Sequence, residues 1–162
     1  MALEKITYMC VTAPRLEKLK RNLPVVLPYV DEAVIVVGRE SPETLDYLGR
    51  FPQIRTIFRP WTDSFRDQYQ AGLSEVGGGW VNIMDDDELP SEEMLRSFST
   101  LIEKSHGGRM FDVVDFPATE VRPDGAYHRT DYYRQMFYRW NPNLRYEIHL
   151  HQALVGLMRV AR

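Results

Sequence analysis

The segment with the clearest capacity for chemistry is Gly77-Gly78-Gly79-Trp80-Val81-Asn82-Ile83-Met84-Asp85-Asp86-Asp87-Glu88-Leu89-Pro90. A short apolar run, Trp80 to Met84, ends in four consecutive carboxylates, and Leu89-Pro90 stops any continuation. The run has the composition of a buried strand. That sets the acids in the loop at its carboxyl end, where open α/β sheets hold ligands. Four adjacent negative charges repel one another by an amount that a surface loop tolerates and an enclosed one does not. An enclosed cluster therefore calls for a cation, and oxygen donors suit Mg2+ or Mn2+ rather than zinc. The competing explanation is a solvated acidic turn leading into a helix at Ser91. The position after a buried strand favours the metal.

The elements that must position this loop follow from the rest of the chain. Its 162 residues are enough for one domain with a sizeable core. Hydrophobic content of 44% and charged content of 27% are ordinary for a globular protein. A net charge of −3 gives no general attraction to nucleic acid. The single cysteine, Cys10, lies in an apolar run and permits no intrachain disulfide, so a reducing compartment is expected. Met1-Ala-Leu-Glu-Lys leads directly into a strand, which argues against a signal peptide. With no run long enough to span a bilayer, the expected location is cytoplasmic, at most peripheral to a membrane.

Strands are expected at Ile6–Thr12, Glu32–Gly38, Ile54–Phe58 and Trp80–Met84. Helices should follow each: from Arg15, limited or bent by Pro24 and Pro28; from Ser41-Pro42 to about Arg50; from Asp63 or Ser64 through Val76; and from Ser91 to near Ser105. Four strand–helix alternations predict a parallel sheet with right-handed crossovers and helices on both faces. Beyond Met110 the texture changes. Phe111–Pro117 and Tyr132–Trp140 read as strands, and Leu144–Leu150 alternates, with Leu144, Tyr146, Ile148 and Leu150 on one face. Turn signals between these strands predict an antiparallel second part in a mixed sheet.

Several segments together resemble the family 2 glycosyltransferases of the GT-A fold. They are Ile6-Thr-Tyr-Met-Cys-Val-Thr12; Val30 to Val37; Trp61-Thr-Asp-Ser-Phe65 leading into Gln68-Tyr-Gln70-Ala-Gly-Leu73; Gly79-Trp80 through Glu88; and Arg139 to Gln152. The ordered series carries the likeness, since a D-x-D motif alone is common. The resemblance implies an α/β nucleotide-binding domain, with residues 1–109 as the nucleotide-sugar half and 110–162 as the acceptor-side half. It implies a nucleoside diphosphate sugar donor, an inverting transfer to a glycan, lipid-linked or peptide acceptor, and Mn2+ or Mg2+ as cofactor. Two departures stand out. Gly38 replaces an acid usual after the second strand, and His151-Gln152 replaces a His-Glu pair. The chain is also short for the family, which allows dependence on a partner protein or a homo-oligomer.

Carried onto this sequence, the motif makes Asp87 the metal-holding acid and Asp85 a second one beside the ribose, with Asp86 between them and Glu88 orienting the loop. Thr12, Pro14 and Arg15 fall at the nucleotide edge, and Gln68 joins Asp85 and Asp86 as a nucleotide-sugar contact. An inverting transfer needs a base for the acceptor hydroxyl, and Glu120, Asp115 and Glu147 are the candidates. Alternation puts Glu147, His149 and His151 on one strand face, at about 7 Å for each two-residue step. His151 is therefore expected as a metal or phosphate ligand, with His149 the weaker candidate; a merely wet strand face is the alternative. Arg134, Arg139 and Arg145 could neutralise diphosphate or simply be solvated, and Trp61 and Trp140 could stack on sugar or belong to core and rim. Two rival readings remain: a silent GT-A-like binding or assembly module, and a nucleotidyltransferase. The latter is disfavoured because no glycine-rich phosphate loop with a lysine follows the first strand.

Overall fold

The computed structural model describes residues 4–105, 110–121, 127–147, 153–155 and 160–161. The chain runs β1 (Ile6–Thr12), α1 (Leu16–Val26), a 3-10 turn (Leu27–Tyr29), β2 (Glu32–Val37), α2 (Pro42–Leu48), β3 (Ile54–Phe58), α3 (Phe65–Leu73), β4 (Trp80–Asp85) and α4 (Glu92–Lys104). Then follow β5 (Val113–Val121), β6 (Tyr127–Arg139), β7 (Arg145–Glu147), β8 (Ala153–Val155) and β9 (Val160–Ala161). Seven strands form one sheet in the order β3-β2-β1-β4-β6-β5-β9, and β7 pairs with β8 in a separate hairpin. The first four strands are parallel, β6 is antiparallel to both β4 and β5, and β9 is parallel to β5. The mixed α/β architecture is the one expected.

Local chemistry explains the helix starts. Ser41, Ser64 and Ser91 each accept a hydrogen bond from the backbone N–H three residues on, and Pro42 occupies the first helical position of α2. Pro24 lies inside α1 near its end, and the chain tightens into the 3-10 turn rather than stopping there. Asp63, the other candidate for capping α3, is instead in the left-handed region with φ of 56°.

Alternation along β1 decides which helix covers which face. Tyr8 and Cys10 join Leu19, Leu23 and Val26 of α1 and Leu48 of α2, and Ile6 joins Leu95, Phe98 and Ile102 of α4. Met9 points the other way, with Tyr69 and Leu73 of α3 and Tyr146 of β7. Trp80, Phe137 and Phe98 stack in a column, with ring centroids 4.9 and 4.2 Å apart. Gly72 lets α3 press onto the sheet, since a Cβ there would lie 2.8 Å from Met9 Sδ. At Gly79 φ is +76° and a Cβ would meet Lys5 O at 2.1 Å, so only glycine admits the chain to β4 beside β1.

The second part departs from expectation in extent. β5 reaches Val121 rather than Pro117, and β6 begins at Tyr127 rather than Tyr132. Register shifts at Val114/Asp115 and Ala118/Glu120 let these two long strands coil without losing pairing. In β7, Tyr146 is buried and Arg145 and Glu147 exposed, as the alternation requires; 148–150 lie outside the described residues.

Candidate functional site

Thr12, Val37 and Asp85 end their parallel strands nearly level, through the pairings Thr12↔Val37 and Val11↔Asp85. Strand order reverses between β1 and β4, and such a switch point opens a crevice at the carboxyl edge. A cavity of 670 Å3 lies there. Thr12, Pro14, Arg15, Gln68, Asp85, Asp86 and Asp87 all line it, together with Gly38, Arg39, Trp61, Phe65 and Tyr69. Residues up to 76 positions apart in sequence, Val11 and Asp87, thus share one cavity, among them every residue expected from sequence at the nucleotide edge.

The acid loop is an organised turn. Glu88 N–H donates to Asp85 O at 3.1 Å, and Asp85 N–H returns a bond to Glu88 Oε2 at 2.7 Å. Asn22, 1% exposed on α1, donates from one amide nitrogen to Asp86 O at 2.9 Å and to Glu88 O at 2.7 Å. The four carboxylates then divide. Asp86 is buried and accepts from Thr12 Oγ1 at 2.7 Å and Arg15 Nη1 at 3.2 Å. Asp85 accepts from Arg134 Nη2 at 3.1 Å, and the same guanidinium binds Glu88. Asp87 is 56% exposed at its side chain, with Lys18 Nζ at 3.4 Å and Arg15 Nη1 at 3.6 Å. Burial pushes the Glu88 carboxyl up from its ordinary value, offset in part by the Asp85 N–H and the Arg134 guanidinium.

The cation demanded by four adjacent acids is therefore partly supplied by Arg15, Lys18 and Arg134 of the chain itself. Arg134 is part-exposed and binds the acid loop through Asp85 and Glu88, without itself lining the cleft. Among the described residues no three His, Cys, Asp or Glu side chains gather as a ready metal cage. His149 and His151 lie outside the described residues, and so does the side chain of Glu120, whose backbone pairs with His128. Glu147 is exposed and bonded to Arg145, on a strand tied to α3 by Tyr146 N–H to Gln70 Oε1 at 3.0 Å. Trp61 and Phe65 meet edge to face at 4.7 Å on the cleft wall, whereas Trp140 packs against the α3-side core.

Sequence reasoning passed over Lys18, Arg21 and Asn22. A signal was available: Arg15, Lys18 and Asn22 recur at three- and four-residue spacing, so one side of α1 carries them together. Asn22 also sits beside Leu19, Leu23 and Val26 on the inward face, where a polar side chain needs a partner.

No curated protein matches this sequence significantly. Among solved structures, TarS 1–349 of S. aureus superposes with a TM-score of 0.57 at 18% identity, over 68% of this chain and 34% of that one. The mannosyltransferase PcManGT of Pyrobaculum calidifontis, solved with GDP-Man and Mn2+, gives 0.56 at 15% identity, over 76% and 37%. The 4-diphosphocytidyl-2C-methyl-D-erythritol synthase of Anaerococcus prevotii gives 0.56 at 16%, over 84% and 70%. At these identities the likeness establishes a shared fold, and the chain spans about a third of the length of the first two. The family model for glycosyl transferase family 2 matches residues 10–155, from the middle of β1 to the end of β8. This chain belongs to glycosyl transferase family 2.

Proposed function

We propose that the chain binds a nucleoside diphosphate sugar in the cleft at the carboxyl ends of β1, β2 and β4. It transfers the sugar, with inversion and with Mn2+ or Mg2+, to the hydroxyl of a glycan, lipid-linked or peptide acceptor. The observation that carries this reading is the meeting of the acid loop, Arg15 and an aromatic wall in one 670 Å3 cavity, a volume suited to a ligand of that size. Family membership supports the reaction class.

The donor set fits a divalent ion that arrives with the diphosphate. Mg2+ takes one or two carboxylates and fills its shell with phosphate oxygens and water. Asp87 presents an exposed carboxylate and Asp85 a half-exposed one. Held there, the ion would act as Lewis acid for departure of the diphosphate. Arg15 and Lys18 bring positive charge to the same rim for the phosphate oxygens. Asp86 stays with Thr12 and preserves the loop. His151, and more weakly His149, are carried as further ligands. Asp115, Glu120 or Glu147 supplies the base for the acceptor hydroxyl. We read residues 1–162 as one domain, 1–109 the donor half and 110–162 the acceptor half, acting with a partner protein or as a homo-oligomer where the short acceptor half requires it. No helix among the described residues is long and apolar enough to cross a membrane; the location proposed is cytoplasmic or peripheral to a membrane.

Thermal-shift titration with nucleoside diphosphates and their sugars, with and without Mn2+, tests the binding, because a ligand of the folded state raises its melting temperature. Release of free nucleoside diphosphate from a donor sugar tests the reaction. Failure of every nucleotide to stabilise the chain rejects the reading. Binding without turnover would instead identify the silent module, which Gly38, Gln152 and the self-paired acids favour. Release of pyrophosphate would identify a nucleotidyltransferase.

A further inference from the structure

Gln68, in the first turns of α3, has no exposed surface. Its Nε2 donates to Arg59 O at 3.0 Å and to Pro60 O at 3.1 Å. Two carbonyl acceptors on that nitrogen fix which end of the amide is which. The oxygen, Oε1, therefore points the other way, and it has no hydrogen-bond partner among the described residues. A buried acceptor left unpaired is costly and calls for a cause. Gln68 is also a lining residue of the cleft.

The surroundings narrow what could satisfy it. Strand order puts the acid loop on the β4 side of β1, and Gly38, Trp61 and Gln68 on the β2–β3 side. Charge for phosphate thus lies at one end, and an aromatic wall with a lone acceptor at the other. Gly38 leaves the backbone bare between them: a Cβ there would lie 3.9 Å from Gln68 Oε1 and 3.7 Å from Thr12 O. Thr12 O already accepts the Gly38 N–H at 3.0 Å. Oε1 remains as the open acceptor. A planar ring with a polar edge that donates a hydrogen is the ligand fragment that matches.

Resting on the nucleotide reading above, we propose that Gln68 selects the donor's base. Its Oε1 accepts the lactam N–H of uracil or guanine beside Gly38, and it disfavours cytosine and adenine seated with the same ring nitrogen against it, because that nitrogen is itself an acceptor. Oε1 is closed to water as the chain stands, so the ring reaches it with a small displacement of a neighbour. Trp61 is that neighbour: its Cβ borders the same gap 3.9 Å from the Gly38 Cβ position, the residue is 44% exposed, and its indole is held at the surface by a bond to Asp63 and an edge-to-face contact with Phe65.

The test is calorimetric titration of the full chain with UDP, GDP, CDP and ADP at one Mn2+ concentration, repeated with N3-methyl-UDP and N1-methyl-GDP and with Gln68→Met. The expected result is that UDP or GDP binds at least about tenfold more tightly than CDP and ADP, the worth of one hydrogen bond to a buried acceptor. N-methylation should abolish that preference, and Gln68→Met should bring all four nucleotides to similar affinity. A general structural injury in the variant would weaken all four equally and keep their ratio, which would overturn the assignment. So would binding that N-methylation leaves unchanged, a probe independent of whether Gln68→Met folds. If none of the four nucleotides binds, the nucleotide reading itself fails; if they bind without base preference, only the role of Gln68 fails.

Discussion

The hydroxyl of Thr12 lies 2.7 Å from Oδ2 of Asp86, both side chains buried, so the last residue of β1 holds the acid loop that follows β4. The same hydroxyl sits 2.5 Å from Ala13 O, so the Asp86 carboxylate and this carbonyl share one donor. Of the three aspartates, Asp86 is thus the one committed to the fold. Asp86→Ala should cost about 2 kcal/mol by releasing Thr12 and Arg15 from the acid loop, which lowers the melting temperature by roughly 5 °C for a chain of this size. Asp86→Asn, which can still accept from Thr12, should lose less. Thermal unfolding of the two variants checks this; an Asp86→Ala protein that melts with the parent contradicts it.

Asp87 should behave in the opposite way. Its exposed carboxylate is paired only across 3.4 and 3.6 Å to Lys18 and Arg15, and such surface pairs contribute between about zero and 1 kcal/mol. Asp87→Ala is expected to leave the melting temperature unchanged or slightly raised through relief of repulsion, while Mn2+-dependent nucleoside diphosphate binding and sugar transfer are lost. Calorimetry in EDTA and in Mn2+ separates the metal's share: equal affinity in both would remove the metal role.

Asn22 bridges α1 to the loop by two bonds from a single nitrogen. Asn22→Ala strands two carbonyls, Asp86 O being buried, at a cost of about 1–3 kcal/mol, and should loosen the turn that holds Asp87. The expected signature is a lower melting temperature together with weaker nucleotide binding. A stability loss with unchanged binding would show that the loop keeps its shape without α1.

Glu32 gives a pH dependence of definite sign. Burial alone would raise its carboxyl, but the Lys5 ammonium and the Thr7 hydroxyl outweigh burial and hold it below its ordinary value of 4.5. A carboxylate lowered in the folded state stabilises the fold above its ordinary value, and that contribution is lost as pH falls through the lowered one. Glu32→Gln should therefore flatten the acid limb of stability below about pH 4.5, by no more than about 1 kcal/mol because the pair is part-exposed. Urea midpoints at pH 3 to 7 check it; an unchanged acid limb would show the pair contributes nothing.

Much of this was legible because the signals were local. Ser41-Pro42, Ser64 and Ser91 announce helix starts within four residues, and Trp80 to Met84 is a buried strand by composition alone. The place of the acid loop followed from that strand. What stayed hidden depends on long-range register. Arg134 reaches Asp85 and Glu88 only because β6 enters the sheet beside β4 and pairs with β5 across a register shift. Its neighbours Tyr132, Tyr133 and Phe137 are all β-prone, so alternation gives no cue to which face the arginine takes. Lys18 and Arg21 read as ordinary solvated helix residues until the loop is laid over α1.

The central position of β1, paired with β2 on one side and with β4 on the other, also bears on when the site comes into being. The β1–β2 pair closes over about 25 residues, but the β1–β4 pair closes over 74, as in Ile6 with Trp80, and must wait for the slower loop closure. Until then Thr12 has no Asp86, and the cleft has one wall. A nucleotide bound in the cleft would consequently report on the longer of the two closures: a ligand present during refolding should stabilise only chains in which β4 has docked beside β1.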